Sequence, residues 1–175
     1  MSSHANELLL RFKQITVEQT LPLRHQVLWP ELSIEKVKLP EDANGWHFGA
    51  FVDDPMTKDN NGPIAVISLF LDPIPIDDTS VISRDISDSL SSPPTPAQNA
   101  RFRKFACKTS MQGRGIGTAL LRYTMDFARS NLNAGVLWCD ARVSSAEWYE
   151  RRGLLQFGNT FYKGPVQYVR MKTEL

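Results

Sequence analysis

The stretch MQGRGIG, from Met111 to Gly117, sets glycine at every second position between an apolar run and a run with helical periodicity. Glycine lets backbone N–H groups approach a ligand with no Cβ in the way, and the first turn of a helix leaves such donors unpaired under a partial positive charge. A phosphate or pyrophosphate is the natural guest, and Arg114 adds a point charge beside it. The bland alternative is a turn that only joins strand to helix. A Walker loop would need a Lys-Ser/Thr pair after the glycines, and none follows. A dinucleotide loop needs GxGxxG; counted from Gly113 the third position falls on Thr118, although Asp140, at the end of the next strand, imitates a ribose-binding acid. That fold also needs several further βαβ units, and only residues 118–175 remain. It stays as a second reading.

The corner must be held by a strand on one side and a helix on the other. Arg101 to Cys107 (RFRKFAC) reads as the strand, and from Gly115 onward Ile116, Leu120, Tyr123 and Phe127 share one helical stripe. Upstream, Leu8 to Ile15 reads as a first strand; Thr16 and Gln19 then have capping-box spacing for a helix that Pro30 ends. Pro22 is expected near that helix's start, because deeper in it would remove a backbone bond. Trp46 to Val52 and Pro63 to Leu71 form a hairpin across the polar turn DDPMTKDNNG. Val136 to Asp140 is a buried-type strand, and Ser144 with Glu147 repeats the capping-box spacing for a short helix that Gly153 terminates. Leu154 to Phe161 and Val166 to Lys172 supply the last strands. The pattern predicts an α+β fold, arranged as three α/β layers: a mixed, mostly antiparallel sheet of about seven strands with helices on both faces.

Length and composition bound the rest. A chain of 175 residues with 42% apolar content can bury a core and is expected to form one domain, 1–175. Residues 72–100 are rich in Ser, Asp and Pro and are expected to form a flexible insertion, placed like a lid. Lys plus Arg at 20 against Asp plus Glu at 19 gives no global field for nucleic acid or an anionic membrane. The apolar run near the amino terminus is too short for a signal or spanning helix, so a cytoplasmic protein, monomer or homodimer, is expected. Cys107 and Cys139 sit in apolar runs without a CxxC pattern, as buried free thiols would, and no metal centre is expected.

FACKTSMQGRGIGTALL resembles the pyrophosphate loop of the GNAT superfamily of N-acetyltransferases, whose Gln/Arg-x-x-Gly-x-Gly/Ala pattern is met by Gln112, Gly115 and Gly117. LWCDARVSSAEWYERRGL is similar to that superfamily's last core strand and following helix. The nearest type is the glyphosate N-acetyltransferases, whose features recur as LRHQVLWP, WHFGAF, FRKFA, LWCDAR and a last strand ending VRM. The resemblance implies acetyl-CoA as co-substrate and direct acetyl transfer to a small-molecule amine. It implies that Gln112, Gly113, Arg114, Gly115, Ile116, Gly117 and Thr118 hold the pyrophosphate. The backbone of Phe105, Ala106 and Cys107 would then pair with the pantetheine arm. A backbone N–H there, that of Phe105, would face the thioester carbonyl. Tyr149 matches the tyrosine that protonates the departing thiolate; a core aromatic is the alternative, for which Trp148 is the better residue.

The acceptor end departs from the pattern. The glyphosate type grips an anion with arginines, matched by Arg103 and Arg142, which can hold a carboxylate in bidentate fashion. A further arginine is replaced by Trp29 and the carboxy-terminal histidine base by Tyr168. This implies an acceptor with one carboxylate and an apolar portion, such as an amino acid. Tyr168 is a poor base at neutral pH, which leaves His47, Glu31, Glu35 or a water as alternatives. Loss of the histidine also leaves open a non-catalytic acyl-CoA-binding sensor.

Overall fold

The structure, a computed structural model, describes residues 9–52, 62–75 and 98–175. The start of the chain, the turn of the first hairpin and most of the expected insertion lie outside these residues. One seven-stranded sheet runs through the rest in the order β1-β2-β3-β4-β5-β7-β6, built from β1 (Leu10–Ile15), β2 (Trp46–Val52), β3 (Ala65–Leu71), β4 (Gln98–Cys107), β5 (Ala134–Arg142), β6 (Leu155–Lys163) and β7 (Val166–Glu174). Only β4 and β5 pair in parallel; the other neighbours are antiparallel. A doubly wound dinucleotide fold is built on parallel pairing, so that second reading fails here.

Each face of the sheet buries a different helix, because side chains alternate along a strand. Helix α2 (Ile116–Leu132) covers Phe48, Ala50, Ile67, Leu69, Phe102 and Leu137 with Ile116, Leu120, Leu121 and Ala128. The expected stripe is rotated slightly: Tyr123 and Phe127 flank the core and pack their rings on Phe48 at 5.5 and 4.8 Å. Helix α1 (Val17–Leu23) lies over the opposite face, where Leu23 meets Ile15, Phe51, Val66 and Ala106. The Thr16–Gln19 capping box forms, each residue's side chain accepting from the other's backbone N–H.

Pro22 departs from its expected place. It stands sixth in α1, and the chain passes at once into a π turn, Arg24–Leu28, before Trp29 leaves helical geometry. A proline there removes one helical bond, and the wider π turn accommodates the mismatch. That turn carries Arg24, which is fully buried. Its guanidinium donates to both oxygens of Asp42, at 2.6 and 2.9 Å, and to Ser68 Oγ at 2.7 Å. The first loop is thereby tied to the sheet.

The second expected capping box does not form. A 3-10 turn, Val143–Ser145, feeds α3 (Ala146–Glu150), its N-cap Ser145 makes no side-chain bond, and Glu147 pairs with Arg151 instead. Gly153 does close α3, at φ 85°. The cysteines differ from one another: Cys139 is buried, while Cys107 is only half-buried, and both are free.

Candidate active site

The sheet opens in its middle. Strands β4 and β5 pair from Gln98 to Arg101 only, so the last part of β4 has no partner on its β5 side. Inside that part the β3–β4 register slips: Val66 faces Ala106 but Ser68 faces Arg103, an extra residue on β4. Lys104 takes up the slip with φ at 54°, the left-handed region that non-glycine side chains enter at a cost of roughly 1 kcal/mol or more. The bulge interrupts the alternation of the strand, and Arg103, Lys104 and Phe105 line one cavity together with Arg101 and Phe102 ahead of it.

Two cavities meet at the opening. The first, about 480 Å³, is lined by residues of β4 and β5 together with Trp29, Lys163 and Tyr168. The second, about 580 Å³, is lined by the glycine corner, Cys107, Trp148 and Arg152. Phe105, Gln112, Ser145 and Tyr149 belong to both walls. Of the expected thiol-arm residues, Phe105 and Cys107 face the second cavity, while the Ala106 side chain turns to the opposite face and packs under α1.

The glycine corner divides its work. Gly113 and Gly115 sit at φ 74° and 78°, and a Cβ on either would meet nothing within 4 Å: both are glycine for backbone conformation, and both face open space. Gly117 is an ordinary helical residue whose Cβ would touch the Phe105 ring at 3.4 Å and Trp148 at 3.6 Å. Its bareness therefore lets those rings close over the helix start. Gln112 is a structural pin: its N–H goes to the Thr109 carbonyl and its Nε2 donates to the Cys107 carbonyl at 3.0 Å. Its backbone is thus not among the free donors, contrary to expectation. From Gly113 to Thr118 no backbone acceptor among the described residues takes the N–H groups, and the N-cap Gly115 offers no side chain. These donors fit an oxyanion group such as a pyrophosphate. Arg152 braces them, its Nε donating to Thr118 Oγ1 at 2.8 Å and its guanidinium lying 3.5 Å over the Trp148 ring.

Tyr149 stands where the cavities join, its ring 5.8 Å from that of Phe102 and 5.0 Å from that of Trp148. Its hydroxyl makes no hydrogen bond among the described residues. Burial drives its pKa above the usual phenol range, with the Cys139 thiol adding to the effect, so the phenol keeps its proton. Such a group donates rather than abstracts.

The first cavity is cationic. Arg101 pairs with Asp72 at 2.9 Å and with Asp140 at 2.5 Å; Lys163 also reaches Asp140, at 2.7 Å. Arg103 is engaged by Glu41. Arg142, exposed, and Lys104 have no carboxylate partner among the described residues. Lys104 Nζ lies 3.5 Å over the Trp29 ring. Burial, together with the nearby charges of Arg24 and Arg103, lowers its pKa to about 8. Tyr168 stacks on Phe161 with ring centroids 6.0 Å apart.

The sequence-predicted residues Trp29, Arg103, Arg142, Tyr149 and Tyr168 thus share one wall. His47 does not join them: buried, it holds Ser68 Oγ through Nδ1 at 2.7 Å and the Asp42 carbonyl through Nε2 at 2.9 Å. Glu31 and Glu35 are exposed and line neither cavity. Sequence reasoning passed over Lys104, Lys163 and Arg152, and read Asp140 only as the imitation of a ribose-binding acid. The available signal was RFRK, three bases within four residues of a predicted interior strand. Asp140 pairs with Arg101 and Lys163 and lies 3.9 Å from Arg170 Nε, so it serves these cations rather than a ribose.

Residues 94–175 match the family model described as acetyltransferase (GNAT) domain. The carboxy-terminal part of the chain thus matches a GNAT acetyltransferase domain and the sheet matches the GNAT acyl-CoA N-acyltransferase fold, which supports an acyltransferase. Among curated proteins it is 29% identical over 156 residues to the uncharacterized N-acetyltransferase YitI of Bacillus subtilis, covering 87% of each chain. Its fold is similar to a putative N-acetyltransferase from Lactobacillus plantarum, at 15% identity and TM-score 0.67, covering 97% of this chain and 99% of that one. It is also similar to a GNAT family acetyltransferase from Elizabethkingia anophelis with acetyl-CoA bound, at 14% identity and TM-score 0.59, covering 95% and 98%. Among the described residues no helix is long and apolar enough to cross a membrane, and no cluster of His, Cys, Asp and Glu could hold a metal ion.

Proposed function

We propose that this chain moves an acetyl group from acetyl-CoA directly to the amine of a small carboxylate-bearing metabolite such as an amino acid, with Tyr149 as general acid. The observation that carries the reading is the meeting of the two cavities at Phe105 and Tyr149, beside the stretch of β4 that lacks a partner. In this reading the second cavity takes the coenzyme. The N–H groups of residues 113–118 hold its pyrophosphate, and the open edge at Phe105 to Cys107 accompanies its pantetheine arm. The Phe105 N–H faces the thioester carbonyl, where one such donor is worth about 3 kcal/mol. The first cavity takes the acceptor, and Tyr149 protonates the departing sulfur. The carboxylate assignment draws on the sequence resemblance to the glyphosate N-acetyltransferase type, in which Arg103 and Arg142 match the anion-gripping arginines.

Gly115→Val tests the coenzyme half. A branched side chain at φ 78° is strained by roughly 1–3 kcal/mol and projects into the open space before the unpaired donors. Calorimetry should show acetyl-CoA affinity reduced at least tenfold in protein that still melts cooperatively. Undiminished affinity would move the pyrophosphate elsewhere.

Arg142→Ala tests the acceptor half. Arg142 is the guanidinium left uncommitted, whereas Arg103 must first release Glu41 to bind an anion. Charge-assisted bonds from an arginine to a carboxylate are worth about 1.5–3 kcal/mol, so acceptor KM should rise roughly tenfold to a hundredfold with acetyl-CoA affinity little altered. The acceptor itself is found by following free CoA release over a panel of amino acids, polyamines and arylamines. Preference for a polyamine would sink the carboxylate assignment, since the uncommitted cations would repel it. Acetyl-CoA binding without CoA release from any amine would favour the sensor reading, which the replacement of the histidine by Tyr168 supports.

A further inference from the structure

One amine in the acceptor cavity belongs to the protein itself. Lys104 sits at the bulge, at φ 54°, and lines the cavity beside Arg103 and Phe105. Its ammonium rests on the Trp29 face at 3.5 Å and has no carboxylate among the described residues, while Arg101, Arg103 and Lys163 each have one. A non-glycine residue held at positive φ is retained only where the surroundings demand it, and such strain gathers at functional positions. Lys104 also directly precedes Phe105, on the shared wall with Tyr149.

We propose that Lys104 is a self-acetylation site: when no acceptor amine occupies the first cavity, the Lys104 amine takes the acetyl group itself. This rests on the acetyl-CoA reading above. The neutral amine attacks the thioester carbon, a C–N bond forms and the C–S bond breaks. Sulfur receives the Tyr149 proton, and the proton shed by nitrogen restores the phenol, leaving Nε-acetyl-lysine and free CoA with no other reactant. Burial and neighbouring cations hold Lys104 near pKa 8, so about half is neutral at pH 8, against under roughly 1% for an ordinary lysine. Acetylation removes one of the two uncommitted positive charges and fills part of the cavity, so a chain without acceptor closes its own site.

The test incubates the full chain with acetyl-CoA at pH 8 without added amine, reading intact mass, peptide mapping and CoA release. One acetyl per chain on Lys104 is expected, with one equivalent of CoA released, suppression by excess free CoA, and a rate that falls about tenfold per pH unit well below 8. Lys104→Arg and Lys104→Met should both lose the modification while binding acetyl-CoA in calorimetry. Labels on exposed lysines such as Lys36, Lys38 or Lys172 with Lys104 unmodified, or labelling that free CoA does not suppress, would overturn the proposal while leaving acetyl-CoA binding standing. Failure to bind acetyl-CoA at all would overturn both readings.

Discussion

Tyr149→Phe is expected to lower kcat by about a hundredfold or more, with acetyl-CoA affinity and melting temperature unchanged. The substitution removes a hydroxyl without a protein hydrogen bond among the described residues and keeps the ring that packs on Phe102 and Trp148. Neither the fold nor the coenzyme cavity therefore loses a contact from the ring. What is lost is the proton for the departing thiolate. Burial raises the Tyr149 pKa away from that of a thiol, near 8.5, so phenolate is costly there and its proton must be replaced within the same turnover. The same shift keeps the phenol protonated across the working range, so activity should show no loss from Tyr149 ionisation below about pH 10. The check is kcat from CoA release under conditions where chemistry limits turnover, alongside calorimetry. An unchanged kcat would send the acid role elsewhere.

Arg24→Met should cost about 3–5 kcal/mol of folding stability, read from urea unfolding, because it strands the Asp42 carboxylate in the interior. Arg24 is fully buried and Asp42 nearly so, and the pair also holds Ser68 and the Leu39 N–H. The double variant Arg24→Met with Asp42→Asn should recover part of the loss, since no charge is then left unpaired. If the single and double variants were equally unstable, the stranded charge would not be the cause. Burial acts to raise the Asp42 pKa, but the bonds from Arg24 and Leu39 outweigh it and the net shift is downward. Stability from this carboxylate is therefore fully present above the unfolded value near 3.9 and is lost as pH falls through the lower folded value. Asp42→Asn should remove that acid slope. The variants should also weaken turnover, because Arg24 anchors the π turn that carries Val27, Leu28 and Trp29 to the acceptor cavity.

What could be read from the chain alone was whatever has a local cause. Helix α2, the capping box at Thr16 and the glycine corner follow from periodicity, short-range hydrogen bonding and backbone freedom, and each is recorded in a few adjacent residues. The seven-strand count came from the same local patterns, whereas Trp29, Arg103, Arg142, Tyr149 and Tyr168 were singled out by the family resemblance, and they line one cavity. Residues far apart in sequence decided the rest. Arg103 is engaged because Glu41 arrives from another loop; His47 is structural because Asp42 and Ser68 close on it; and Asp140 is a hub because Arg101 and Lys163 meet it across the opened sheet. Lys104 sits in the cavity wall at a one-residue slip between β3 and β4 that no strand pattern records. Alternation dictates which side a residue faces only while the register holds. Charge pairing and burial depend on what the fold brings within a few ångströms, and both are properties of the tertiary structure.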